Sequence, residues 1–306
     1  MTRWHTMALS MALCAVLLFA NTALAQPGEV TSLDNVDYVA HDGVKLTGDL
    51  YLPKDTKTGA AKTPLVIAIH GGGWQNGSPA AYQHWGPYLA RNGYGMFAIR
   101  YRLGKAGTYP KAVYDVKAAI QFIRAKAGDL DVDPDRIGLW GDSAGGHLAA
   151  LAGLAADQYT AEYRNDPHAG VPVNVKAVVG FYGVYDLLAQ WHHDQIARPR
   201  DQIAEKFLGA SPMQNRKLYF ESSPISYATI DRNKTSFMLV NGTADDIVDP
   251  AQTQQFWQAL NQAGIYSRRM VIPGAGHYFS SDPHDEPGSF SGLVAPRVLR
   301  FLQERL

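Results

Sequence analysis

The sequence predicts one α/β domain: a mostly parallel central sheet with helices on both faces and a cap inserted late in the chain. Three observations predict it. Short apolar runs alternate with amphipathic stretches of helix length. The runs are apolar at nearly every position, as in strands buried on both faces. One strand-to-strand interval, from Leu187 to Tyr227, is far longer than the rest. The 306 residues, 46% hydrophobic and 18% charged, suffice for one large core and exclude disorder as the main state. No repeat or low-complexity linker divides the chain.

In chain order, the first element is expected to leave before folding. The apolar run Met7 to Ala20 follows Arg3 and precedes Ala23-Leu24-Ala25, the small-x-small pattern that signal peptidase reads. Residues 1–25 are therefore expected to be a signal peptide and 26–306 the mature chain, exported to the periplasm or the medium. The run is shorter than the ~20 residues that span a bilayer. Cys14, the single cysteine, lies inside it, and Leu13 before it does not suit lipidation. The mature chain would then hold no thiol, disulfide or cysteine ligand. Lys+Arg and Asp+Glu number 28 each, and losing Arg3 leaves 27 bases against 28 acids. Such a balance provides no net field for nucleic acid or an anionic membrane, and neither is an expected partner of the mature form. Oligomeric state is not legible.

The domain opens with an extended lead-in, Val36 to Ala40 and Val44 to Leu52. Buried strands are predicted at Pro64 to Ile69, Gly95 to Ile99, Arg136 to Trp140, Lys176 to Phe181, Ser236 to Val240 and Arg269 to Ile272. Helices are predicted at Ala80 to Arg91, Pro110 to Ala127, Ala144 to Ala156, Ala251 to Ala263 and Leu293 to Leu306. Val113, Val116, Ile120 and Ile123 hold one apolar face through the second of these. The long interval, residues 187–227, carries Trp191, His192, His193, Phe207, Tyr219 and Phe220. That aromatic content predicts an ordered cap of short helices.

Chemistry enters at the turns. The strand ending at Trp140 runs into Gly141-Asp142-Ser143-Ala144-Gly145 and then an Ala/Leu-rich helix, which is G-x-S-x-G in its strand, turn and helix setting. A turn this sharp brings the positions two residues either side of the serine against other chain segments, where glycine fits. Leu65 to Ile69 delivers His70-Gly71-Gly72-Gly73-Trp74, whose successive glycines leave backbone N–H groups unshielded for a developing oxyanion. A serine hydroxyl also needs a histidine base oriented by a carboxylate. Asp245, Asp246 and Asp249 follow one strand, and Pro273-Gly274-Ala275-Gly276-His277 follows the next. Ser, Asp and His in that order, each past a strand's carboxyl end, predict a nucleophilic triad. Spacing alone leaves the three aspartates open.

These stretches, with Tyr101-Arg102-Leu103, Asp133-Pro134-Asp135-Arg136-Ile137-Gly138, Phe181-Tyr182-Gly183 with Asp186, and Ser223-Pro224-Ile225, resemble an α/β-hydrolase esterase. The resemblance is to the branch grouped with acetyl and feruloyl esterases and, more distantly, to the hormone-sensitive-lipase-like enzymes. It runs from about residue 35 to the end. It implies an α/β-hydrolase fold with Ser143 as nucleophile, His277 as base and Asp245, third after Gly242, as the acid. It also implies an oxyanion hole from Gly72, Gly73 and Ala144. One departure bears on the acid: the family loop often reads Gly-x-x-Asp-x-x-Val-Pro, and here Asp249 separates Val248 from Pro250. Trp74, Trp191, Phe207 and Tyr278 are the expected walls of the substrate pocket.

Other polar residues receive plainer readings. Asp131, Asp133 and Asp135 imitate the start of a calcium loop, but Arg136 stands where the loop needs glycine, so a solvated turn before a strand is expected. His192-His193-Asp194 lacks further ligands, and no metal or cofactor is expected. His70 is expected to brace the oxyanion loop, His147 to lie one turn past Ser143, and Asp142 to be a structural carboxylate. The function expected is an exported serine carboxylesterase acting on short-chain or aromatic acyl esters, small or polysaccharide-linked, acetyl and feruloyl groups included. An amidase or peptidase of the same fold is the nearer alternative; oligopeptidase relatives screen substrates with a large extra domain, and only about 35 residues precede the first fold motif. A non-catalytic binding protein is the other, but such chains usually lose a triad member and none is missing.

Overall fold

The computed structural model describes residues 28–54 and 61–306. The expected signal peptide, with Arg3 and Cys14, lies outside them. Among the described residues, eight strands form one sheet: β1 Val30–His41, β2 Val44–Pro53, β3 Thr63–Ile69, β4 Gly95–Ile99, β5 Val132–Asp142, β6 Ala177–Phe181, β7 Ser236–Gly242 and β8 Ser267–Ile272. The helices are α1 Trp85–Arg91, α2 Lys111–Ala125, α3 Ala144–Ala155, α4 Leu187–Ala197, α5 Ile203–Leu208, α6 Arg216–Ser222, α7 Pro250–Gln262 and α8 Phe290–Arg305.

The sheet order is β1-β2-β4-β3-β5-β6-β7-β8. The first two strands form an antiparallel hairpin that pairs antiparallel with β4, and every pair from β4 to β8 is parallel. Asp42 and Gly43, both at positive φ (50° and 78°), make the two-residue turn of the hairpin. Because side chains alternate along a strand, β3 sends Leu65, Ile67 and Ile69 to one core layer and Val66 and Ala68 to the other. The first layer contains α2, α3 and α7 side chains such as Val113, Leu148 and Phe256; the second contains Trp85 and Leu89 of α1 and Val298 and Phe301 of α8.

Several boundaries differ from the sequence prediction: β1 starts at Val30 instead of Val36 and α8 at Phe290 instead of Leu293, and two further shifts have a plain local cause. The helix expected from Ala80 starts as an α-helix only at Trp85, after a short 3-10 turn at Pro79–Tyr82. Pro87 lacks an N–H and fits only in a first turn, where that donor would have no partner. β5 starts at Val132, so Asp133 and Asp135 belong to a strand instead of a preceding turn. They lie in the irregular stretch between the Thr63↔Val132 and Leu65↔Ile137 pairings, where Asp133 accepts the Asp135 amide and pairs with Arg136.

An ionic cluster with buried His41, Arg102 and Asp115 at its centre and exposed Asp42 and partly exposed Lys111 at its edge ties the hairpin to the body. His41 meets Asp115 Oδ1 through Nδ1 at 2.6 Å and Asp166 Oδ2 through Nε2 at 2.8 Å. Arg102 binds Asp115 Oδ1 at 2.7 Å and Asp42 at 2.7 Å, and Lys111 joins Asp42. Burial opposes a charge on His41, but the two carboxylates on its nitrogens outweigh burial and raise its pKa above the ordinary 6.5. A raised folded-state pKa gives stability that is full below about 6.5 and is lost as pH rises through the folded value. The melting temperature of His41→Gln should therefore fall furthest below wild type near pH 6, with the gap narrowing toward alkaline pH. A gap independent of pH would contradict a charged His41.

Candidate active site

Parallel strands deliver their following loops to one edge of the sheet, and four such loops meet there. The one after β5 begins with Ser143, at φ 53° and ψ −121°. The backbone allows this only by close approach: a Cβ on Gly145 would lie 1.8 Å from the Ile69 carbonyl oxygen, and one on Gly141 would lie 2.1 Å from that of Gly145. The Ser143 amide is held by Phe181 O at 2.9 Å. This presents the hydroxyl at the start of α3, whose first amides have no intrahelical partner.

The β8 loop brings His277 Nε2 to 2.9 Å from Ser143 Oγ, and the β7 loop brings Asp245 Oδ2 to 2.7 Å from His277 Nδ1. A carboxylate accepts, so Nδ1 carries the proton and Nε2 is left to receive one from the serine. The other oxygen of Asp245 accepts the amides of Ile247 and Val248, each at 3.0 Å, which orients the carboxylate. Asp245 and His277 have side chains only 1% and 2% exposed, so water hardly competes for their contact. Tyr182, at φ 37°, packs its ring 4.4 Å from that of His277.

The aspartates left open by spacing are separated here. Asp246 is exposed, and its backbone carbonyl accepts from His193 Nε2 at 2.9 Å. Asp249 is exposed and caps α7 through the Ala251 amide. Neither side chain touches His277. The residue inserted before Pro250 has become a helix cap, which explains the altered loop without moving the carboxylate that meets the histidine.

The loop after β3 is braced from below. Asp142, 6% exposed, accepts the Gly71 amide at 3.2 Å and the Tyr82 hydroxyl at 2.7 Å. Burial raises its pKa, against the hydrogen bonds that favour the ionised form. His70 donates through Nδ1 to Gly71 O at 2.8 Å and stacks on Tyr101; burial pushes its pKa down to about 4, so it is neutral at pH 7. Gly72 stands at φ 110° with room for no side chain, since a Cβ would lie 2.2 Å from Asn76 O. Among the described residues the amides of Gly72, Gly73 and Ala144 have no protein acceptor.

A cavity of about 290 Å³ includes Ser143, Gly72 and Gly73 in its wall. Of the four expected wall residues, only Tyr278 lines it, 59% exposed beside His277. Trp74 and Phe207 are each 1% exposed and stack on one another at 4.4 Å, fastening α5 to the loop after β3. Trp74 also donates to His147 Nδ1, and His147 Nε2 donates to Ser222 O. Trp191 is half-buried and donates to Glu205. The correction has a simple cause: large aromatic side chains gain most by leaving water, so they became the joint under the cap instead of the wall of a solvated cleft. The walls the sequence reading missed are Arg198, Asp201, Ile203 and Lys206, from α4 to α5, with Gln75, Asn76 and Ile247. No sequence motif marks them.

The remaining candidates lie apart from this centre. His193 is spent on the Asp246 carbonyl, and buried Asp194 accepts from Gln190 Nε2 and the Ala204 amide. Among the described residues, no three or more His, Cys, Asp or Glu side chains are grouped as metal ligands. A larger cavity of about 470 Å³, lined by residues such as Tyr114, Lys117 and Asp166, is bounded by none of the three residues Ser143, Asp245 and His277.

The family profile described as BD-FAE matches residues 48–260. Esterase LipC of Mycobacterium tuberculosis is 33% identical over 84% of this chain and 61% of its own length. Esterase LipQ of the same organism is 34% identical over 71% of this chain and 51% of its own length. The chain thus spans only half to three fifths of these curated relatives. Esterase 2 of Thermogutta terrifontis, solved with butyrate bound, is 27% identical with a TM-score of 0.70, covering 91% of this chain and 92% of the esterase. The same esterase has been solved phosphoramylated by tabun, with a TM-score of 0.71.

Proposed function

From the premise that the chain belongs to the BD-FAE family and has the α/β-hydrolase fold, we propose that it is a serine carboxylesterase, exported as a precursor. The observation that carries this reading is His277, bridging Ser143 Oγ at 2.9 Å and Asp245 Oδ2 at 2.7 Å. Ser143 Oγ attacks the ester carbonyl carbon while His277 Nε2 takes its proton. The resulting oxyanion accepts from the amides of Gly72, Gly73 and Ala144, which have no other acceptor among the described residues. The proton then passes from Nε2 to the leaving alkoxide, and an acyl-Ser143 ester remains. Water, deprotonated by the same nitrogen, releases the acid and restores the hydroxyl. Asp245 steadies the imidazolium throughout.

The acyl group in this reading is short or aromatic, acetyl and feruloyl groups on polysaccharide included. A cavity of about 290 Å³ supports the size limit, as does the butyrate held by the similar Thermogutta esterase. On aryl esters of increasing acyl length, with feruloyl esters and acetylated xylan alongside, kcat/KM should peak at acetyl to butyryl or feruloyl and drop for long chains. Highest activity on emulsified long-chain triglycerides, with activation at the interface, would make the protein a lipase instead.

A further inference from the structure

Beside Ser143 the cavity holds more positive charge than its own carboxylates balance. Its charged wall residues are Arg198 and Asp201, from the segment between α4 and α5, and Lys206, on α5 itself. Arg198 and Asp201 pair with each other, Nε to Oδ2 at 2.7 Å and again through Nη2. Lys206 Nζ has no acceptor among the described residues, and Arg198 Nη1 has none either. Neighbouring carboxylates are engaged elsewhere. Asp245 holds His277 and two amides, Asp142 lies under Gly71, and Glu205 accepts from Trp191 Nε1.

The setting strengthens the unpaired charge. Ile203 and Ile247 border it within the cleft, and although Lys206 is exposed, charge at a concave surface is screened less than on an open face. A neutral acyl or alkyl group placed there would leave the donors to water alone and would gain nothing from them. A carboxylate would meet the Lys206 ammonium and a free N–H pair of Arg198 in the same cavity as the nucleophile.

Resting on the esterase reading, we propose that the preferred substrate is an ester one half of which carries a carboxylate, bound at Lys206 with Arg198 Nη1 as the second donor. The carboxylate can belong to the acyl half, as in a monoester of a dicarboxylic acid, or to the alcohol half, as in an O-acylated uronic acid. Both present the same group to the same wall.

Two matched pairs separate these sources: monomethyl succinate against methyl butyrate for the acyl half, and 3-carboxyphenyl acetate against phenyl acetate for the alcohol half. In one pair the anionic ester should have kcat/KM about fivefold higher at low salt, the scale of a solvent-exposed ion pair, with the preference disappearing in ~1 M salt. Lys206→Met should abolish the preference and Lys206→Glu should invert it, each read as the anionic-to-neutral ratio within one variant. A ratio near one in both pairs, or a preference that survives Lys206→Met and high salt, overturns the proposal while the esterase reading stands. Failure to hydrolyse any of the four esters overturns both.

Discussion

Replacing Ser143 with alanine is expected to leave a folded protein whose ester hydrolysis is slower by at least ~10³-fold. The loss is large because the covalent route vanishes with the hydroxyl, whereas the loop amides and the cavity remain and supply the residual rate. Folding should survive because the Ser143 side chain's one hydrogen-bond partner among the described residues is His277, and the fit of the turn depends on Gly141 and Gly145. Alanine accepts φ 53° no worse than serine does. The check is kcat/KM on an aryl acetate together with a thermal melt by circular dichroism. A serine-directed phosphonate should add one equivalent to the wild type and none to the variant. Near wild-type turnover in a variant with an unchanged melt would remove Ser143 from the reaction.

Much of the architecture can be read from the chain because its strands are buried on both faces. Ile67 and Val66 face opposite layers and are both apolar, so the run is continuous and its boundaries stand out. The same parallel arrangement makes the meeting of Ser143, Asp245 and His277 legible: they follow β5, β7 and β8, and parallel strands bring those ends to one edge of the sheet. The choice among three aspartates is different. It depends on which carboxylate the loop turns toward His277, and that is visible only in the structure, where Asp245 Oδ2 meets Nδ1 while the amides of Ile247 and Val248 hold its other oxygen. The cavity walls are the least legible part. Short helices such as α5 have no long periodic face, so the exposed side of Lys206 and the buried side of Phe207, one residue apart, are set by how the cap packs on Trp74. Composition shows that residues 187–227 are rich in aromatics but not that Phe207 and Tyr219 would be buried while Phe220 stays exposed.

Asp245→Asn should lower kcat for ester hydrolysis by about 10⁴-fold, the loss seen when a triad carboxylate becomes an amide, while Asp246→Asn and Asp249→Asn leave the rate within a few-fold of wild type. The carboxylate does two things that the amide reverses. It accepts from His277 Nδ1, which keeps Nε2 free to receive the serine proton, and its charge stabilises the imidazolium that forms. An asparagine offering its N–H₂ to Nδ1 would place the ring proton on Nε2, facing Ser143, where it blocks proton transfer. The fold should bear the change, since the asparagine oxygen can still accept the Ile247 and Val248 amides. Asp249→Asn keeps a good helix cap on α7, and Asp246 contributes its carbonyl alone to His193, so both serve as controls of equal chemistry. If Asp249→Asn alone lost activity to the same degree, the acid would belong to the inserted residue before Pro250, and the short contact between Asp245 and His277 would have no part in the reaction.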